Sequence, residues 1–217
     1  MTDFAALRRA MVDTQVRPSD VTRYAIIEAM STVPRERFVP AAKRELAYAE
    51  IDVPLADGRV LVAPRTLAKM LEAARIDTDD LVLDLAPGTG YSTAVIARMA
   101  QAVVAVEPDD ALRAQAQDAL DALEVLNAAV SGGDPAEGDA AHGPYDVIFV
   151  AGAVERLPER LTDQLKDGGR LVFIEHEGRL GRCRVITRSG EALSRAWAFD
   201  ADAPVLPGFE RAHAFQF

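Results

Sequence analysis

Apolar residues recur along this chain with two spacings, one helical and one strand-like, and the alternation between them outlines an architecture. Phe4, Leu7 and Met11 share a face of a helix predicted over residues 4–16, which Arg17-Pro18-Ser19-Asp20 breaks. A second helix over 21–30 leads into residues 33–40, punctuated by Pro34 and Pro40, so the opening reads as a small helical cap. Residues 52–64 are polar and β-branched and read as a connection, and 65–75 as a helix. The run Val82-Leu83-Asp84-Leu85 is too short for a helix and is bounded by Asp79-Asp80 and Pro87-Gly88, so residues 81–85 read as a buried parallel strand. A helix over 91–99 and a strand over 102–106 follow. Further strands are expected at 127–131, 145–150 and 170–175, with a helix near 159–166 that Gly168 or Gly169 caps. Residues 182–188, a turn at Ser189-Gly190 and residues 193–199 predict an antiparallel hairpin. The pattern is that of an α/β protein with a doubly wound parallel sheet, an N-terminal helical cap and a C-terminal hairpin.

At 217 residues and 49% hydrophobic, the chain can bury one substantial core, and a single domain over 1–217 is expected, with cap and loop in 1–78 and sheet and hairpin in 79–217. A formal charge of −10 argues against a polyanion, so no nucleic-acid partner is expected. The single cysteine, Cys183, excludes an intrachain disulfide framework. Met1-Thr2-Asp3-Phe4 begins no signal peptide, and no apolar run is long enough to span a bilayer, so a cytoplasmic protein without a membrane partner is expected. His142, His176 and His213 lack the spacing of a metal site, and no metal is expected. Arg182, Arg184 and Arg188 alternate on one strand face, expected to be solvated, which turns Cys183 inward.

The candidate chemistry lies where the first strand ends. Gly88 and Gly90 allow a tight turn and close approach of a ligand to the backbone. Glu107 ends the second strand about 20 residues later, where a carboxylate can accept hydrogen bonds from both hydroxyls of a ribose. A nicotinamide-binding turn would want a third glycine where this chain has Thr93. Asp84, inside the first strand, instead favours a cationic ligand. The glycine-rich, acidic stretch 131–139 is a loop at the end of the third strand, and Asp134 is the candidate contact to an adenine amine.

The run Val82-Leu83-Asp84-Leu85-Ala86-Pro87-Gly88-Thr89-Gly90-Tyr91, with Val103-Val104-Ala105-Val106-Glu107, resembles the cofactor grip of Rossmann-like S-adenosylmethionine-dependent methyltransferases. Met11-Val12-Asp13-Thr14-Gln15-Val16-Arg17-Pro18, Val33-Pro34-Arg35-Glu36-Arg37-Phe38-Val39-Pro40, Leu46-Ala47-Tyr48, Tyr145-Asp146-Val147-Ile148-Phe149-Val150 and Leu165-Lys166-Asp167-Gly168-Gly169-Arg170-Leu171-Val172 further resemble the protein-L-isoaspartate O-methyltransferase family. The resemblance implies a cytoplasmic enzyme of protein repair that transfers methyl to the carboxylate of isomerised aspartyl residues. Its cofactor would be S-adenosylmethionine, held by Asp84, Ala86, Gly88, Gly90, Glu107 and Asp134. Its partner would be a protein or peptide bearing isoaspartate.

The chain departs from the family in the substrate loop, where Gly-Gln-Thr-Ile-Ser-Gln-Pro becomes Gly58-Arg59-Val60-Leu61-Val62-Ala63-Pro64, so both hydroxyl residues are valines. The loop is expected to close over the substrate. Because a carboxylate is ionised near neutral pH, the reaction needs positioning rather than a general base. Losing the serine therefore threatens substrate choice more than chemistry, and Arg59, Val60, Val62, Arg65 and Thr66 are the candidates flanking the acceptor. In the cofactor turn Ala86 replaces a glycine and Pro87 a threonine, and the site is expected to survive both changes. Two other readings stand: a methyltransferase for a different acceptor, such as a small molecule, and a non-catalytic cofactor-binding protein. The sequence leaves the oligomeric state open.

Overall fold

A computed structural model describes residues 2–56, 58–178 and 180–211. Its centre is a seven-stranded sheet in which β3 (Leu81–Leu85), β4 (Ala102–Val106), β5 (Ala128–Ser131), β6 (Tyr145–Val154) and β7 (Leu165–Glu177) run parallel. β8 (Leu180–Ser189) and β9 (Ala192–Asp200) add antiparallel strands at one edge, giving the order β5-β4-β3-β6-β7-β8-β9. The α/β sheet and the C-terminal hairpin are those expected, and β3 and β4 have the predicted bounds. Chain order reverses direction between β3 and β6, which opens a crevice beyond the carboxyl end of β3, the usual ligand position of an open α/β sheet.

The N-terminal helix α1 (Phe4–Met11) is shorter than predicted, because its coil widens over Val12–Val16 and tightens over Arg17–Ser19 before Asp20 ends it at φ +60°. Met11, Val12 and Val16 are buried, and so are Ile26 and Met30 of α2 (Tyr24–Thr32). They join one apolar cluster with Leu67 and Leu71 of α3 (Pro64–Ala74) and Val82 of the sheet.

Two expectations are corrected. Residues 52–64 are not a bare connection: β1 (Val53–Ala56) and β2 (Arg59–Leu61) form an antiparallel hairpin of their own. The helix near 159–166 is also shorter, α6 (Glu159–Asp163), because Leu165 already pairs with Tyr145. Gly168, at φ +77°, therefore turns the irregular start of β7 rather than capping a helix. Gly169 must stay small, since a Cβ there would lie 3.0 Å from the Tyr145 carbonyl oxygen.

The arginines of β8 are not simply solvated. Arg184 Nε donates to Glu175 Oε2 at 2.9 Å and is 17% exposed, while Arg182 pairs with Glu177. Cys183 does point inward, and burial pushes its thiol up to about 12, which leaves it unreactive near neutrality. His142 and His176 each lie beside an aspartate, Asp139 and Asp202, whereas His213 lies outside the described residues.

Candidate cofactor and substrate site

The turn between β3 and α4 (Tyr91–Ile96) is wound by left-handed residues: Ala86 at φ +54°, Gly88 at +65° and Gly90 at +88°. Only Ala86 carries a Cβ into that region, a strain of about 1 kcal/mol held in place by its amide donating to the Val106 carbonyl at 2.8 Å. A Cβ on Gly90 would meet Ala116 of α5 (Asp110–Ala122) at 3.0 Å, so a glycine there lets the helix seat against the turn. Thr89 Oγ1 donates to the Phe38 carbonyl at 2.6 Å and ties the turn to the cap.

Asp84 and Glu107 are wholly buried. Ser92 Oγ and Thr93 Oγ1 both donate to Asp84 Oδ2 at 2.7 Å, while Oδ1 is buried with no partner. Burial pushes the Asp84 carboxyl up to about 7; the two hydroxyls pull it down and the nearby Glu107 charge pushes it further up. An unpartnered buried acceptor is costly. Here it sits next to a glycine turn, which makes it a fitting seat for a cationic group.

Glu107 is saturated. Its Oε1 accepts from Arg59 Nη1 at 2.8 Å and from the Asp109 amide at 3.1 Å. Its Oε2 accepts from Arg59 Nη2 and from the Gly88 amide, each at 2.7 Å. Arg59 Nη2 also donates to the Ala86 carbonyl at 2.9 Å, and Leu55 of β1 covers Gly88, where a Cβ would lie 2.8 Å from Leu55 Cδ1. The β1–β2 hairpin thus lies directly on the glycine turn.

The structure gathers Arg59, Asp84, Ala86, Gly88 and Glu107 into one buried cluster, with Gly90 in the same turn. Asp134 is exposed beyond β5, where its Oδ1 accepts from the Ala136 amide at 2.9 Å, and it lines a cleft of about 720 Å³ with Arg156, Arg160 and Glu210. Val60 is half-buried in β2, and Val62, just past the end of that strand, is buried. Arg65 is not part of the cluster: it is exposed and pairs with Glu50 at 3.3 Å. Thr66 is half-buried in the first turn of α3.

Several contributors are absent from the sequence-derived set. Ser92 and Thr93 follow the glycine turn directly, and their hydroxyls were the available signal. Arg35 is wholly buried: its Nε donates to the Ala47 carbonyl at 2.7 Å and Nη2 to the Val62 carbonyl at 2.6 Å. Its guanidinium lies 4.8 Å from the Tyr91 ring centre, and burial lowers its affinity for its proton. Nothing in the local pattern of a 3₁₀ turn, Arg35–Arg37, marks an inward arginine.

Comparison with known proteins shows the family and the fold of the chain. The sequence model of the family described as protein-L-isoaspartate(D-aspartate) O-methyltransferase matches residues 7–195. A protein-L-isoaspartate O-methyltransferase of Koribacter versatilis (strain Ellin345) is 38% identical over 195 residues, 90% of this chain and 88% of the relative. One from Aliivibrio fischeri (strain MJ11) is 33% identical over 93% of this chain and 97% of the relative. A solved protein-L-isoaspartate O-methyltransferase superposes with a TM-score of 0.80 at 25% identity, covering 93% of this chain and 66% of that one. A Plasmodium falciparum structure, described as a complex with S-adenosyl-L-homocysteine, shares the fold with a TM-score of 0.80 at 19% identity, over 92% of this chain and 97% of that one.

Proposed function

Since the chain belongs to the protein-L-isoaspartate O-methyltransferase family, we propose that it transfers a methyl group from S-adenosylmethionine to the carboxylate of isomerised aspartyl residues in a protein or peptide. The single observation that carries this reading is the Asp84 carboxylate, buried behind a left-handed glycine turn with one oxygen unpartnered. S-adenosylmethionine supplies, when bound, a methyl group on a positively charged sulfur.

The chain's own residues fit such a ligand. Asp84, pre-oriented by Ser92 and Thr93, offers a negative oxygen to its cationic end. Gly88 and Gly90 supply the left-handed backbone that winds the turn, and Glu107 is the carboxylate for its ribose hydroxyls once Arg59 has let go. Asp134, at the mouth of β5, is our candidate for the adenine amine. We take the whole chain, 1–217, as one unit, because cap residues and sheet residues share a core cluster.

The acceptor carboxylate is ionised near neutral pH, so the work left to the protein is alignment. Val62 brings no hydroxyl to that task, but its backbone is fixed by Arg35, which leaves positioning to main-chain groups of the hairpin. The altered side chains at Val60 and Val62 favour, as a second reading, a more apolar acceptor. The nature of the bond formed separates the classes. With methyl-labelled S-adenosylmethionine, an isoaspartyl peptide is expected to gain label that mild base releases as volatile methanol, as an ester requires. Base-stable label would move the acceptor to nitrogen or sulfur and overturn a carboxyl methyltransferase.

A further inference from the structure

Glu107 is the one carboxylate at the end of β4 able to take both hydroxyls of a ribose, and in this structure every one of its contacts is already made. Two come from backbone amides, that of Gly88 in the glycine turn and that of Asp109 at the start of α5. The other two come from a single side chain, Arg59, which binds both oxygens side by side at 2.8 and 2.7 Å. Both partners are buried, 6% and 0% exposed. This fork-to-fork pairing is the strongest geometry available to an arginine and a carboxylate. In the family loop the same position is a glutamine, which cannot match that charge.

The guanidinium arrives from β2, on the hairpin whose Leu55 also covers Gly88. The hairpin is short, its register slips between Pro54 and Ala56, and it pairs with no other strand of the described residues. Its Val53 and Leu61 are buried in the core, so the hairpin itself stays seated, and release of Glu107 needs only the long Arg59 side chain to swing to another rotamer. Resting on the S-adenosylmethionine reading above, we propose that Arg59 is an affinity-setting latch: it occupies the ribose seat at Glu107 in the cofactor-free protein and must be displaced for the nucleoside to bind. The consequence is thermodynamic. Only the fraction of molecules with Glu107 released is competent, and the apparent affinity falls by that fraction. The latch also gives the empty protein a compensated Glu107, which would otherwise be an unpaired buried charge.

Isothermal titration of S-adenosylhomocysteine into the full-length protein and its Arg59→Gln and Arg59→Lys variants tests this, together with the melting temperature of each with and without ligand. Removing the competitor is expected to tighten binding about tenfold in Arg59→Gln and by a smaller factor in Arg59→Lys, which keeps the charge but not the fork. Without ligand Arg59→Gln is expected to melt lower than the parent, and with ligand to gain more. Should Arg59→Gln not fold, tighter binding by Arg59→Lys carries the same inference. Equal binding by parent and variants overturns the latch and leaves the cofactor reading standing. Weaker binding by the variants makes Arg59 a cofactor ligand, and also overturns the latch. Absence of binding by all three overturns the cofactor reading and the latch together.

Discussion

Replacing Asp84 by Asn is expected to weaken cofactor binding about a hundredfold and to abolish its dependence on pH, as measured by titration of S-adenosylmethionine and S-adenosylhomocysteine between pH 5.5 and 8.5. The substitution preserves shape and can keep the hydroxyl contacts from Ser92 and Thr93, so what is lost is charge. In the unliganded protein burial holds the Asp84 carboxyl near 7, so about half of it is protonated at neutrality. A ligand that carries an ammonium group, with or without a sulfonium, binds the ionised form. Affinity is therefore expected to rise with pH up to about 7, by as much as tenfold per unit, and to level off above it. Stability runs the other way. A carboxyl whose folded pKa is raised binds more protons native than unfolded between about 4 and 7, so unliganded stability declines as pH rises through that window and is flat beyond it. Asp84→Asn should flatten that decline as well. A variant that binds as tightly as the parent would remove Asp84 from the cofactor site.

Arg35→Met is expected to cost about 2–4 kcal/mol of stability, read as a fall in the urea unfolding midpoint at unchanged slope. The buried arginine satisfies two carbonyls, at Ala47 and Val62, that are far apart in sequence, and it stacks on Tyr91. Methionine fills much of the volume but leaves both carbonyls unpaired in an apolar interior. Among the described residues no carboxylate forms an ion pair with Arg35, so the loss is one of hydrogen bonds rather than of a salt bridge. Arg35→Lys should recover little, because one ammonium lacks the spread of a guanidinium. A cost below about 1 kcal/mol would mean that the carbonyls find other partners and that Arg35 is not what fixes the end of the hairpin.

Where sequence and structure agree, the information was local. β3 and β4 were legible because each is a short apolar run with sharp polar or glycine borders, and the hairpin β8–β9 because Ser189-Gly190 supplies its turn. The candidate site was legible as far as backbone geometry and strand ends dictate it: Asp84, Gly88 and Glu107 meet because β3 and β4 are parallel neighbours in register, Asp84 opposite Ala105.

The parts that were not legible depend on contacts distant in sequence. The hairpin β1–β2 is built from Val53-Pro54-Leu55-Ala56, where a proline spoils the strand signal, and it is stabilised by packing on a turn some thirty residues further on. Arg59 looks like a surface residue until Glu107 is placed beneath it. β6 runs past its predicted end to Val154 because the segment after β9 folds back on it, with Ala153 bridging Val205 and Leu206 packing against Gly152. Helix α6 stops early for the same kind of reason, the pairing of Leu165 with Tyr145 across the sheet.

The most direct test of the central claim compares two peptides identical except for one residue, isoaspartate in one and aspartate in the other, each incubated with the purified protein and methyl-labelled S-adenosylmethionine. Selective labelling of the isoaspartyl peptide is the predicted result, despite valines at positions 60 and 62. Equal labelling of both peptides, or of neither while the cofactor binds, would contradict isoaspartyl methyl transfer by this chain.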